Sequence, residues 1–239
     1  NKKFPEDMQK SILQYAMQGK LVEQMAEEGT GEELYCQIQA EKEKLIKDGK
    51  IKKEKRLPEI LENEIPFDIP KSWKWVKLNS IVTIITDGDH QPPPQVDTGI
   101  PFLVISNMSQ GNLSFINTRN VSQEYYDNLQ EARKPQSGDI LFTVTGSYGI
   151  VILVKTDKKF CVQRHIAIIK KPFVSADYLV KCLSAPFSYK QCKEKATGTA
   201  QKTVGLDTLR NLILPLPPLA EQERIVAKLE KVLQFFNKN

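Results

Sequence analysis

The sequence lacks the common signatures of an enzyme that acts on nucleotides. It contains no GxxxxGK[ST] phosphate-binding loop and no GxGxxG turn, and it has no [ND]PP[YF] methyltransferase tetrad. Its two histidines, His90 and His165, are far apart and form no metal-ligand spacing with the cysteines. Asp87 and Asp89 could act as acid and base, but in a DGDHQPPP loop they are better interpreted as turn formers. We therefore expect no catalytic residue, no metal site and no cofactor in this chain.

Cysteine and long apolar runs are also scarce. The four cysteines are scattered and include no CxxC pair, which favours reduced thiols and a cytoplasmic protein over a disulfide scaffold. No apolar run approaches the roughly 20 residues that span a bilayer, so we expect no membrane segment. With 40% hydrophobic and 26% charged residues, the composition is that of an ordinary globular protein.

Positive charge is concentrated in the middle of the chain. Residues 72–218 hold 17 Lys and Arg against 11 Asp and Glu, whereas the formal net charge of the whole chain is only +5. Such an excess suits a polyanion such as nucleic acid, although many other proteins share it.

The first 66 residues are predicted to form two helices and a linker. Residues 5–19 carry apolar side chains on one face, and Pro5 and Gly19 suit the two helix ends. Thr30 and Glu33 form a capping box that opens a second helix. The charged segment 50–66 is interpreted as an exposed connector.

A final helix is predicted to begin after Pro218. Four apolar residues recur at spacings of four, three and four, which is the pattern of a helix that pairs with another helix: Ile225, Leu229, Val232 and Phe236. Because a helix at the end of the chain offers nothing obvious to bury them against, we expect a partner helix to cover this seam.

The segment 67–218 has the texture of a mixed domain, with short β-branched runs between turn residues. The predicted strands are 81–85, 102–105, 113–116, 140–144, 150–155, 165–169 and 212–214. The predicted helices are 122–130, 175–184 and 187–195. The expected fold class is α+β (mixed α/β): a mixed-sheet domain at 67–218, flanked by helices of the coiled-coil type at 1–66 and 219–239.

Seven passages in this order point to one family. They are SILQYAMQGKLVEQ (11–24), IPKSWKWVKL (69–78), ITDGDHQPPP (85–94), GIPFLVISNMSQGNLSF (99–115), SGDILFTVTGSYGIVILV (137–154), ATGTAQKTVGLDTLRNLILPLPP (196–218) and PLPPLAEQERIVAKL. In order and spacing they resemble the specificity (S) subunits of type I restriction–modification systems.

The resemblance implies a non-catalytic reader of double-stranded DNA. Its target-recognition domain would read one half of a bipartite target. A modification subunit, an adenine methyltransferase, would use S-adenosylmethionine, and a restriction subunit would use ATP and Mg²⁺. Family members usually carry two recognition domains, whereas one is predicted here. The resemblance therefore implies a fragment, or a half-subunit that pairs through its helices with a second recognition half or a second copy.

Three loops and a strand entrance offer groups for DNA contact. Base edges are read by amides and other polar side chains, while phosphates are bound by cations and hydroxyls. The candidate contact residues are His90, Gln91, Gln95, Ser147, Tyr148, Arg164, Lys193, Lys195, Thr199, Gln201 and Lys202. For the loops 86–95 and 145–149, an ordinary surface turn remains an alternative.

Two other functions stay open from sequence. One is a structural adaptor that holds restriction–modification subunits together with little DNA contact of its own. The other is a DNA-processing enzyme whose site is not recognised.

Overall fold

The computed structural model describes residues 3–237, and for residues 3–5, 109–110 and 235–237 it describes the backbone alone. The described chain divides into two compact units. The first unit comprises the described residues of 1–81, 173–191 and 211–239, and the second comprises 82–172 and 192–210. This grouping follows packing rather than chain order. The functional division at 66/67 and 218/219 stays a prediction.

The regular elements follow the chain as seven helices and nine strands of the described residues. The helices are α1 (Lys3–Met17), α2 (Gly31–Lys47), α3 (Gln123–Asn128), α4 (Ala176–Leu183), α5 (Pro186–Lys195), α6 (Leu206–Arg210) and α7 (Leu219–Asn237). The strands are β1 (Lys74–Lys77), β2 (Val82–Asp87), β3 (Ile100–Leu103), β4 (Arg119–Val121), β5 (Ile140–Thr143), β6 (Val151–Leu153), β7 (Cys161–Val162), β8 (Ile166–Pro172) and β9 (Ile213–Leu216). No described helix is both long enough and apolar enough to cross a membrane.

The first unit is built mainly from helices. Helix α7 contacts both α1 and α4, and its Ile225 and Leu229 are fully buried. The expectation that these two residues need a separate partner is therefore wrong, because the chain's own helices provide the cover. Val232 is only half-buried, and the side chain of Phe236 lies outside the described residues. Pairing of this last part of the seam with another chain remains a prediction.

A buried carboxyl group links the start of α7 to the rest of this unit. Glu221 accepts hydrogen bonds from the indole N–H of Trp73 (2.9 Å) and from the amide of Gln24 (2.7 Å). Burial raises the pKa of Glu221, although these hydrogen bonds and the nearby Arg224 oppose the rise. Arg224 in turn pairs with Glu28 at 2.7 Å. These bonds attach the helix to the segment that follows α1.

A two-stranded sheet of β1 and β9 completes this unit. The strands are antiparallel, with Trp75 opposite Pro215. The predicted strand 212–214 was expected to stop before the prolines, but β9 continues through Pro215. In a two-stranded sheet each strand has a free edge, so a residue without an N–H is tolerated. The carbonyl of Pro215 accepts a hydrogen bond from the buried Tyr178 hydroxyl at 3.0 Å.

The second unit contains two sheets. The larger has the order β2-β8-β5-β6 and is antiparallel throughout. The smaller has the order β4-β3-β7, in which β3 and β7 are parallel. Its main core cluster is Leu103, Met108, Leu141, Ile152, Val154, Phe160, Val162, Ile166 and Ile168. This core draws side chains from both sheets and therefore ties them together.

One predicted strand is wrong. The segment 113–116 forms no ladder, although Leu113 and Phe115 pack against the core. The apolar residues of this segment therefore reflect packing of Leu113 and Phe115 against the core, without a neighbouring strand to pair with. Asn117 follows with a positive φ of 55°, and the true strand β4 begins two residues later.

A buried ion pair joins Asp139, the residue before β5, to Lys170 of β8 at one end of the larger sheet. The carboxylate of Asp139 lies 2.6 Å from the Lys170 ammonium group, and the two side chains are 0% and 8% exposed. Asp139 also accepts backbone hydrogen bonds from Gln136 and Lys171, and Lys170 donates a further bond to the carbonyl of Lys134. Nearly complete pairing of this kind is what makes a buried charge tolerable.

Candidate nucleic-acid interface

The antiparallel order of the larger sheet brings several predicted contact residues to one edge. Strands β2 and β5 end at this edge, and strands β8 and β6 begin there. The loops that follow β2, precede β8 and join β5 to β6 must therefore lie along the same edge. These loops carry His90, Gln91, Ser147, Tyr148 and Arg164. The buried Asp139–Lys170 pair lies at the opposite edge.

A pocket of about 390 Å³ opens among these loops. It contains four of the predicted residues, His90, Gln91, Gln95 and Arg164. The remaining lining residues are Asp89, Pro92, Pro93, Phe102, Arg119 and Gln163. The lining thus combines two guanidinium groups, three amides, an imidazole and the carboxylate of Asp89 with an apolar wall of proline and phenylalanine. Such a mixture suits a flat ligand with hydrogen-bonding groups along its edge.

Two carboxylates, Asp87 and the pocket-lining Asp89, hold the loop after β2 in place. Asp87 lies 2.9 Å from the His90 ring, and Asp89 accepts a hydrogen bond from the Tyr125 hydroxyl at 2.7 Å. Arg133 lies between them, 3.4 Å from Asp89 and 3.9 Å from Asp87. Partial burial by itself raises the pKa of Asp89, but the hydrogen bonds from Tyr125 and Gln91 and the charge of Arg133 bring it below its usual value. Asp89 is therefore an ionised anchor of the loop.

The loops 144–149 and 197–203 form a second group of candidate residues. Thr203 pairs with both Thr145 and Thr197, and the Gly146 N–H donates to the carbonyl of Lys202 at 3.0 Å. A Cβ atom on Gly146 would lie 2.9 Å from the Gln201 amide nitrogen, so glycine permits this close approach.

This pairing brings together two loops that are about 50 residues apart in the sequence. Their predicted contact residues Ser147, Thr199, Gln201 and Lys202 are exposed, and Tyr148 is half-buried.

A tight turn connects the pocket to this second group. Gln163 donates its N–H to Leu103, and its carbonyl accepts the N–H of Ile166, each at 2.9 Å. The carbonyl of His165 accepts the N–H of Val144, also at 2.9 Å. Arg164, between these anchored positions, is exposed and donates from Nε to Nε2 of His165 at 3.2 Å. Burial, and then the charge of Arg164, lowers the pKa of His165, which favours the neutral ring that accepts this bond.

Lys193 and Lys195 occupy the last turn of α5 and are exposed. Neither makes a side-chain hydrogen bond or ion pair with another described residue. Both precede the 197–203 loop closely in the sequence, but neither lines the pocket. Their predicted role therefore has to rest on charge rather than on a shaped site.

Sequence reasoning gave little weight to two residues that line the pocket. Arg119 is not among the predicted contact residues, because its place in the pocket depends on the pairing of β4 with β3. Gln163 follows the apolar residues 160–162, and the change from apolar to polar was the only signal available. Neither signal identifies a pocket before the two sheets have been assembled.

Comparisons with known proteins identify the family and agree with the fold. A family model described as the type I restriction modification DNA specificity domain matches residues 70–239. The chain therefore belongs to this family.

Among curated relatives, the EcoAI specificity subunit of Escherichia coli is 32% identical over 230 residues, which cover 93% of this chain and 38% of that protein. The EcoEI specificity subunit of Escherichia coli is 28% identical over 236 residues, covering 93% of this chain and 39% of the relative. The chain thus spans about two fifths of the length of these relatives.

Two solved structures share the fold. The HsdS subunit from Thermoanaerobacter tengcongensis superposes with a TM-score of 0.54 at 21% identity, covering 87% of this chain and 47% of that one. A structure described under complex assembly and conformational transition of the type I R-M system gives a TM-score of 0.56 at 21% identity, covering 87% and 48%. The predicted mixed fold with helices at both ends is thereby confirmed.

Proposed function

We propose that this chain is the DNA-reading part of a type I restriction–modification specificity subunit and that it recognises one half of a bipartite duplex target. The family membership supports a role in specificity. The observation that carries the proposal is the single sheet edge at which separate loops present amides, hydroxyls and cations, together with a pocket of about 390 Å³.

The proposed division of labour assigns no bond chemistry to this chain. The carboxylates nearest the pocket, Asp87 and Asp89, hold a loop, and Arg133 and Tyr125 engage them. A general acid or base needs a proton that can be exchanged near the reacting group, and the lowered pKa of Asp89 does not suit that task at neutral pH. Methylation with S-adenosylmethionine, and ATP- and Mg²⁺-dependent cleavage, would then belong to the modification and restriction subunits.

Docking of those subunits is proposed for the helical unit. The last turns of α7 are the best candidates, because Val232 is only half-buried whereas Ile225 and Leu229 are already covered. A second recognition half, or a second copy of this chain, could pair with the same surface. Either arrangement would place a second reading unit on the DNA, as a bipartite target requires.

Selection from a random duplex library tests the proposal. The purified chain is incubated with the library with and without the modification subunit of the same system, and the bound DNA is sequenced. We expect enrichment of a defined half-site of a few base pairs. Retention of all sequences equally, with the modification subunit present, would contradict the proposal and favour the adaptor alternative. Methylation or cleavage of DNA by the chain alone, with Mg²⁺ and S-adenosylmethionine supplied, would favour the enzyme alternative.

A further inference from the structure

The guanidinium group of Arg164 is held at one end and available at the other. Its Nε donates to His165, while its two terminal nitrogens make no hydrogen bond to another described residue. The turn that carries it is fixed by the backbone bonds of Gln163, His165 and Ile166. Because guanidinium is planar, the hydrogen bond at Nε restricts the orientation of the whole group. Arg164 is therefore presented with its terminal N–H groups side by side.

The surroundings of Arg164 suit a base edge better than a phosphate. Three amides, those of Gln91, Gln95 and Gln163, line the same pocket, and amides are groups that read bases. Phe102 and two prolines supply an apolar wall, which suits the flat face of a base more than a hydrated anion. The paired terminal N–H groups of an arginine match the O6 and N7 acceptors of guanine.

We propose that Arg164 determines specificity by reading a guanine in the half-site through its two terminal nitrogens, and that His165 is the positioning residue that holds it. This inference rests on the proposed DNA-reading function and adds to it one base and one side chain. Pre-organisation is the physical advantage, since an arginine that is already oriented loses less side-chain entropy on binding. The lowered pKa of His165 keeps its ring neutral at pH 7, so that it can accept the bond from Arg164.

The first test compares two substitutions at Arg164 on the selected half-site and on its single-base variants. Arg164→Ala should lower affinity roughly 10- to 100-fold for the site with its guanine, and much less for the same site with that guanine replaced. Arg164→Lys should fail to restore the preference, because an ammonium group cannot pair bidentately. Replacing the guanine by 7-deazaguanine should weaken the wild type and leave Arg164→Ala unchanged.

Phosphate contact predicts a different pattern for the same variants. Arg164→Lys would then retain most of the affinity, and Arg164→Ala would weaken all sequences equally while reducing the salt slope by about one. That result would overturn the proposal, as would a selected half-site without guanine. Arg56→Ala, which removes an exposed arginine of the connector, is the matched control and should leave the preference for guanine intact.

The second test separates positioning by His165 from simple structural support. His165→Gln places an amide oxygen near the position of Nε2, whereas His165→Phe keeps a ring without an acceptor. We expect His165→Gln to retain most of the preference for guanine and His165→Phe to lose it. Circular dichroism should show that both variants are folded. Equal discrimination by the two variants would overturn the role of His165. If the wild type itself selects no sequence, the proposed function fails; if it does and Arg164→Ala keeps its preference, only this inference fails.

Discussion

Charged side chains at the candidate interface fall into two groups. Asp87, Asp89 and Arg133 bind one another or the loop that carries them, and so maintain its shape. Arg119 and Lys202, by contrast, are exposed and make no ion pair with another described residue. A loop stiffened by its own carboxylates loses less entropy when DNA binds, while the exposed cations remain available for phosphates. The first group is expected to affect loop order and the second to affect affinity.

Lys195 and Lys202 provide a test of the proposed phosphate contacts. Replacing either by alanine should lower DNA affinity for all sequences and reduce the slope of log K against log salt by about 0.9 for each phosphate that the protein no longer neutralises. Binding measured by fluorescence anisotropy at several salt concentrations gives both quantities. Lys155→Ala is the control, because that exposed lysine follows β6 and lies toward the opposite edge of the sheet. An unchanged salt slope in both interface variants would refute the phosphate contacts.

The sequence predicts which loops carry polar residues, but it does not predict whether those residues lie together in the folded protein. The polar residues of the loops after β2 and between β5 and β6 were identified because turn residues punctuate strong apolar strands. Whether they meet depends on strand order, and β8 inserts between β2 and β5 although it comes later in the chain. Arg119 also depends on pairing, since its place in the pocket requires β4 to lie beside β3.

The sequence predicts a strand correctly where its residues are both buried and hydrogen-bonded to a neighbouring strand. It predicts poorly where only one of these conditions holds. Strands β5, β6 and β8 were found because their residues are both buried and paired. The segment 113–116 is partly buried but pairs with no strand, so its apolar pattern predicts a strand that does not form. The short strand β7, with two residues, carries too little pattern to be detected. Capping chemistry was more reliable, as the Thr30–Glu33 box that opens α2 shows.

The ion pair between Asp139 and Lys170 should be the most sensitive contact between strands of the larger sheet. Asp139→Ala would leave the Lys170 ammonium group buried without its carboxylate and two backbone N–H groups without their acceptor. Loss of one partner of a buried pair costs about 3–5 kcal/mol. We expect a decrease of that size in the unfolding free energy, read as faster hydrogen exchange of the β5 and β8 amides.

Asp157→Ala is the matched control for this substitution. Asp157 is exposed in the loop before β7, so its removal should change the unfolding free energy by no more than about 0.5 kcal/mol. Equal protection of β5 and β8 amides in the two variants would show that the buried pair contributes little. A larger effect in Asp139→Ala that is confined to these strands would support the role assigned to it.

At the scale of the whole molecule, the main question is what the apolar seam of α7 binds. An apolar seam in the sequence indicates that one face of a helix is buried, but it does not indicate which element buries that face. In the structure α1 and α4 contact α7, and Ile225 and Leu229 are 0% exposed. The first half of the seam therefore stabilises the fold of this chain. Val232 is half-buried and belongs to the surface that we propose for a second polypeptide.

Leu229→Ala distinguishes cover within the chain from cover by a partner. If the seam is internal, the substitution should lower the unfolding free energy by about 2–5 kcal/mol without changing the oligomeric state. Both tryptophans, Trp73 and Trp75, belong to the same unit as α7. Their fluorescence during urea unfolding therefore reports that unit, while light scattering gives the molecular mass. Lys228→Ala, on the exposed face of the same turn, is the control. A Leu229→Ala protein of unchanged stability that converts from dimer to monomer would instead assign Leu229 to an interface between chains.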